Sequence, residues 1–127
     1  ANELIKFAEK FSFNFLQIKN LKNIKKLNLK QHSEKYIIIA TQGNYDLSAI
    51  KEAISIKASY TGLIASKKKF EALKKTLIKD GFKENIRQIT CPAGIFISAI
   101  MPEEVALSIF AEIIELKRSG EIRSNKY

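Results

Sequence analysis

Tyr36-Ile37-Ile38-Ile39-Ala40-Thr41 is an uninterrupted apolar run, set between a lysine-rich stretch and the turn residues Gln42-Gly43-Asn44. A strand with one wet face alternates polar and apolar residues. A continuous β-branched run instead predicts a strand covered on both faces, as in a parallel sheet flanked by helices. A second buried run follows at Tyr60–Ala65, and a third, short strand is expected around Ile86–Cys91. Helical patterns fill the intervals. Asp46 is placed to cap a helix with Leu47, Ile50, Ala53 and Ile54 on one side. Ser66 is placed to cap a longer one presenting Phe70, Leu73, Leu77 and Ile78. Gly81 ends that helix, and Phe82 stands where such a stop makes its hydrophobic contact. Pro102 suits a first helical position, and Glu103 and Glu104 suit the positive end of the dipole. Val105, Ile109, Ile113 and Leu116 are the expected buried stripe of this last helix, with Lys117, Arg118 and Gly120 closing it.

Upstream, Leu4, Ile5, Ala8 and Phe11 predict a short amphipathic helix over 3–11. Phe11, Phe13 and Phe15 then alternate with Ser12, Asn14 and Leu16, the period-two pattern of a strand. Residues 19–35 read as a variable basic linker, with a weak strand near Ile24–Leu29, and 121–127 as a frayed tail. The alternation of strand and helix predicts an α/β fold, a Rossmann-like three-layer sandwich with a mostly parallel sheet and helices on both faces. A chain of 127 residues is expected to form one domain over 1–127. Its 46% apolar content is enough for a core without staples.

The rest of the composition excludes more than it identifies. No segment approaches the ~18–20 apolar residues of a membrane helix, and the opening Ala1-Asn2-Glu3 does not resemble a secretory signal. Cys91 is the only cysteine, so an internal disulfide and a cysteine-based metal site are excluded and a cytoplasmic setting is expected. His32 has no partner at triad spacing, no carboxylate pair stands out, and nothing announces an enzyme. The net charge of +9 attracts polyanions. Because the cations are mostly lysines, which read base edges poorly, specific nucleic-acid binding is disfavoured.

In open parallel sheets ligands collect beyond the carboxyl ends of the strands. Three segments should meet there: Thr41–Asp46, Ala65–Lys69 and Cys91–Gly94. Ser66, Lys67, Lys68 and Lys69 combine the amide groups of a helix start with three lysines, which is an anion site in physical terms. The plain alternative is a cap followed by solvated lysines, although lysines there oppose the dipole. Thr41, Gln42 and Asp46 offer hydrogen-bonding groups, and Pro92 and Gly94 lie in a tight loop able to approach a ligand closely. These nine residues are the candidate cofactor-binding set, with no catalytic and no metal residue assigned.

From Tyr36 to about Arg118 the sequence resembles the C-terminal Rossmann domain of the XdhC/CoxI family, the accessory proteins of molybdenum hydroxylases such as xanthine dehydrogenase. The resemblance rests on YIIIATQGNYDLSAI, YTGLIASKKKFEALKKTLIKDGF and, most specifically, PEEVALSIFAEI. It implies that Ala1–Ile18 is the family's first helix and second strand. It also implies a role in maturing a molybdenum hydroxylase: binding molybdenum cofactor, as molybdopterin or its dinucleotide form, and meeting the apo-enzyme subunit. A homo-oligomer is left open. The chain departs from the family pattern in three ways. No glycine precedes Gly43, so the family's first strand and G-x-G-x-x-A loop are missing, and an extension upstream of Ala1 is one way to restore them. Gln17, Lys19 and Asn20 supply no acid for a ribose diol, which disfavours NAD(P). Thr41-Gln42 replaces Thr-His, Ala65 to Lys69 replaces G-S-R-R-K, and Phe96 and Ser98 stand where the family has aspartate and glycine. Two other readings stay open: a nucleotide-binding Rossmann oxidoreductase, and a basic module for nucleic acid or protein.

Overall fold

The computed structural model describes residues 2–10, 35–41 and 45–121. The expected strands at Phe11–Leu16 and Ile24–Leu29, most of the linker, His32, Gln42 and the last six residues lie outside them. In chain order the elements are α1 (Asn2–Lys10), β1 (Tyr36–Ile39), α2 (Asp46–Ile56), β2 (Tyr60–Leu63) and α3 (Lys67–Lys79). A 3-10 helix (Lys83–Gln88), β3 (Ile89–Thr90) and α4 (Pro102–Ser119) follow. They divide into two compact units, Ala1–Gln17 with Ala93–Tyr127, and Ile18–Pro92.

In the unit Ile18–Pro92 the three strands run parallel in the order β1-β2-β3. Tyr36 pairs with Tyr60 and Ile39 with Leu63, while Thr61 pairs with Ile89. The α/β class and the parallel sheet expected from the apolar runs are what the chain adopts. All four residues of β2 are buried, as its composition predicts. In β1 only Ile39 is fully buried, whereas Tyr36, Ile37 and Ile38 are half-buried. Among the described residues β1 has a strand neighbour on one side only, so its apolar run overstated its burial.

One cluster holds this unit together: Ile39, Leu63 and Ile89 from the strands, Ala49, Ile50 and Ala53 from α2, and Phe70 and Leu77 from α3. Parallel strands demand a crossover between each pair, and both crossover helices contribute to this one cluster. Ile78, expected on the buried stripe of α3, is 48% exposed, because a residue directly following Leu77 is turned about 100° away from it on the helix. The stop at Gly81 forms as expected. Gly81 sits at φ +91, its amide donates to the Ile78 carbonyl, and the Phe82 amide donates to the Leu77 carbonyl at 2.8 Å. Phe82 then packs against the core cluster. The expected strand Ile86–Cys91 is shorter than its pattern. Lys83–Gln88 winds into a 3-10 helix, and only Ile89 and Thr90 pair with β2. The charged and amide residues before Ile89 have little to gain in a buried strand.

In the other unit α1 packs on α4, with Ala8 buried. The buried arc of α4 is Ala106, Ile109, Phe110 and Ile113, together with Ser108 and Glu112. Val105 and Leu116 are only half-buried, so the stripe is rotated from the expected one. Two hydrogen bonds, one to a side chain and one to a main-chain carbonyl, fasten this arc to the segment before the helix. The Gly94 amide donates to Glu112 Oε1 at 3.0 Å, and the Ile95 amide donates to the Ser108 carbonyl at 3.1 Å. Gly94 adopts φ +104, and a Cβ there would stand 3.1 Å from Ser108 Cβ and 3.2 Å from the Ile109 nitrogen. Only glycine fits both the backbone angle and the gap.

The start of α4 matches its reading as a helix N-terminus. Pro102 is the first helical residue, and Glu104 Oε1 accepts from the Met101 amide at 2.7 Å and the Ile100 amide at 2.9 Å. These two bonds, that to Met101 first, hold the Glu104 carboxyl below the ordinary glutamate value.

Two outcomes follow for this unit. Gly94→Ala should lower unfolding free energy by roughly 2–4 kcal/mol, combining positive-φ strain with overpacking, as read by urea denaturation; an unchanged midpoint would refute the close approach. A depressed folded-state value means that the Glu104 contribution is present above the unfolded value and is lost as pH falls through the folded one. Acidification below about pH 4–5 should therefore weaken the native chain more than it weakens Glu104→Gln, measured as the pH slope of stability.

Candidate functional site

The carboxyl edge of the sheet is where the three predicted segments were expected to meet. Within the unit Ile18–Pro92 their described parts do: Thr41, Tyr45 and Asp46 from the first, Ala65–Lys69, and Cys91 with Pro92 from the third. The chain leaves β1 through Ala40 and Thr41, and α2 opens at Asp46 with Tyr45, not Asp46, in the capping position. Asp46 therefore does not cap α2 as its sequence position implies. The helix begins one residue earlier, with the Ala49 amide donating to the Tyr45 carbonyl at 2.9 Å, and Asp46 is carried inside the first turn. Its side chain is 2% exposed.

A buried carboxylate needs compensation, because transfer from water otherwise drives it to neutralise. Three sources supply it here. The Thr41 hydroxyl donates to Asp46 Oδ1 and accepts from the Tyr45 amide at 3.3 Å. The Lys69 ammonium lies 3.2 Å from Asp46 Oδ2. The opening turn of α2 contributes the positive end of its dipole. The Lys69 contact is an ion pair without the alignment of a hydrogen bond, and among the described residues Oδ2 has no other donor. One oxygen of Asp46 is thus firmly held, and the other is covered by a single flexible cation.

Ser66 caps α3 as predicted, its hydroxyl accepting from the Lys69 amide at 3.1 Å. The same residue's carbonyl accepts from the Phe70 amide at 3.0 Å. This leaves the outermost amides of α3 directed away from the helix, as at any helix start. Lys67 and Lys68 are exposed there, while Lys69 is half-buried against Asp46. The three consecutive lysines accordingly differ in exposure: Lys67 and Lys68 stand at the surface, and Lys69 is half-buried beside an internal anion. The third segment joins through Cys91, whose thiol donates to the Ala65 carbonyl at 3.4 Å, with Pro92 following. Thr41, Asp46, Ser66, Lys69, Cys91 and Ala65 thus form a linked rim across the ends of all three strands.

The two remaining candidates are Gln42 and Gly94. Gln42 lies outside the described residues. Gly94 belongs to the unit that contains α4, and its amide is engaged by Glu112, so it serves packing there. Sequence reasoning did not single out Glu112. A signal was present, since a charged residue lies directly before Ile113 in the buried arc of α4. The Asp46–Lys69 pair left no such trace, because 23 positions separate the two residues and only the crossover brings them together. Ser98, which replaces a glycine of the resembled pattern, retains the backbone that glycine favours, with φ +58. Phe96, which replaces an aspartate, is 67% exposed. Among the described residues no group of three or more His, Cys, Asp or Glu side chains is placed to hold a metal, and no helix is long and apolar enough to cross a membrane.

Comparison with known proteins gives a family. The family model described as the XdhC Rossmann domain matches residues 1–113. The chain is also 32% identical over 88 residues to a protein of Escherichia coli (strain K12) described as Uncharacterized protein YqeB. That alignment covers 68% of this chain and 16% of the relative, so the chain spans a small part of the relative's length. No solved structure matches.

The unequal lysines make a direct prediction. Lys69→Ala should destabilise the chain by about 1–2 kcal/mol, less than the ~3–5 kcal/mol of a fully buried pair because water screens the partly exposed ammonium. Lys68→Ala should stay within about 0.5 kcal/mol of the parent. Equal losses in denaturant titrations would remove the special status of Lys69.

Proposed function

The chain belongs to the XdhC Rossmann-domain family, and from that premise we propose that it is an accessory domain in the maturation of a molybdenum hydroxylase of the xanthine dehydrogenase kind. In this reading it binds molybdenum cofactor, as molybdopterin or its dinucleotide form, and meets the apo-enzyme subunit that receives it. The observation that carries the reading is the rim just described. An outward helix start with two surface lysines adjoins a buried carboxylate, one oxygen of which is paired, among the described residues, with Lys69 alone.

The chemistry of that donor and acceptor set fits the cofactor. Molybdopterin joins a phosphate to a pterin ring edged with N–H donors. The α3 start with Ser66, Lys67 and Lys68 would hold the phosphate, and Thr41 and Asp46 would face the donor edge. When bound, the cofactor supplies the molybdenum and its dithiolene sulfurs to the enzyme that is being matured. The residues of this chain bind the cofactor, orient it and keep water from it. A ligand that draws Lys69 toward a phosphate must also compensate Asp46, or the buried charge is left bare at a cost of several kcal/mol. The rim therefore favours ligands that carry an anion and a donor together over simple anions. The same lysines suit an acidic face of the recipient enzyme.

Thermal unfolding with and without ligand tests the proposal. At about 100 times its Kd, molybdopterin should stabilise the chain by about 2.7 kcal/mol and raise Tm by several degrees. The Lys67→Ala/Lys68→Ala double variant should lose that rise and keep its unliganded Tm. Absence of a shift with either form of the cofactor would reject cofactor binding. A rise with NAD(P) alone would transfer the site to a nucleotide-binding oxidoreductase.

A further inference from the structure

Helix α4 has two apolar faces, and the described fold uses one. Its inner arc, Ala106, Ile109, Phe110 and Ile113, is buried. Its outer face carries Leu107, Ala111 and Ile114 at the i, i+4, i+7 spacing of a helix-packing stripe. Leu107 is 48% and Ile114 37% exposed. Just before the helix, Ile100 is 84% and Met101 51% exposed, which lengthens the patch. An isolated exposed leucine needs no explanation, but an aligned series on one helix face does.

The charges that bracket this stripe identify what covers it. Glu103 and Glu104 stand in the first turn, and Lys117 and Arg118 in the last. Glu103 and Arg118, Glu104 and Lys117, and Leu107 and Ile114 are each equidistant from one midpoint, between Phe110 and Ala111. We propose that α4 of one copy packs antiparallel on α4 of a second copy, about a twofold axis at that midpoint. A twofold contact requires a surface complementary to itself, and this face meets that requirement. Turning it end for end sets Glu103 against Arg118 and Leu107 against Ile114, and brings the acidic first turn of each copy to the basic last turn of the other. Ala111, small and at the crossing, allows the axes to approach to about 8 Å. The stripe extends over about 22 Å, which makes a small interface of the weak, reversible class. The chain's +9 charge repels a second copy at long range, but physiological salt screens that repulsion beyond about 8 Å, and the stripe itself has acids at one end and bases at the other. Antiparallel pairing also opposes the helix dipoles, whereas a parallel pair would set like charges together.

Sedimentation equilibrium of the full chain over a range of concentrations is the test, with circular dichroism confirming that each variant keeps its helix content. The parent should show a monomer–dimer equilibrium. Leu107→Asp should raise the dimer Kd at least about tenfold, since symmetry counts the change twice. Glu103→Arg and Arg118→Glu alone should each weaken the dimer several-fold. Mixed one to one, they should recover parental affinity, because both contacts are then between opposite charges. A chain that stays monomeric up to about millimolar concentration, a dimer indifferent to Leu107→Asp, or a mixture no tighter than either variant alone would overturn the proposal.

Discussion

Parallel pairing is the constraint on which the unit Ile18–Pro92 depends. A parallel strand cannot turn back into its neighbour through a tight hairpin, so each link must cross the sheet as a helix and return to the same starting edge. Two consequences follow. The helices α2 and α3 bury their apolar faces with Ile39, Leu63 and Ile89 in one cluster. All three strands deliver their exits to one rim, and no further device is needed to gather Thr41, Ser66 and Cys91 there.

At that rim the fold does something costly. It buries Asp46 in the opening turn of α2 and compensates it with the Thr41 hydroxyl and the Lys69 ammonium. The pair joins the loop after β1 to the start of α3. It also converts a run of three lysines into two surface cations and one internal counter-ion. A rim of this type differs from a plain basic patch. Under the proposed cofactor-binding role, its response to an anion would depend on what replaces Lys69 at Asp46, and that would distinguish a phosphorylated heterocycle from inorganic phosphate.

The unit that contains α4 follows a different logic. There a glycine with left-handed backbone is pressed against α4, and a buried glutamate accepts its amide. The helix sits rotated from the orientation that its strongest apolar positions imply, with Val105 and Leu116 half-buried and Ala106 and Phe110 buried. The same rotation leaves Leu107, Ala111 and Ile114 aligned on the outer face. The PEEVALSIFAEI block thus divides into a cap, an inner arc and an outer stripe, each with its own physical role.

The sequence by itself determined the elements whose signals are local. Periodicity located β2, α3 and α4, Ser66 and Gly81 set the ends of α3, and Pro102 with Glu104 set the start of α4, because caps and turns depend on residues within a few positions of one another. It also carried the family, through blocks that the comparisons bear out. Only the tertiary structure decided which polar groups are matched. Whether Asp46 caps a helix or is buried, whether Lys69 serves a ligand or Asp46, and which arc of α4 faces inward are set by side chains that lie far apart in the chain. Burial depends on what packs from outside an element, and no local pattern of residues records that.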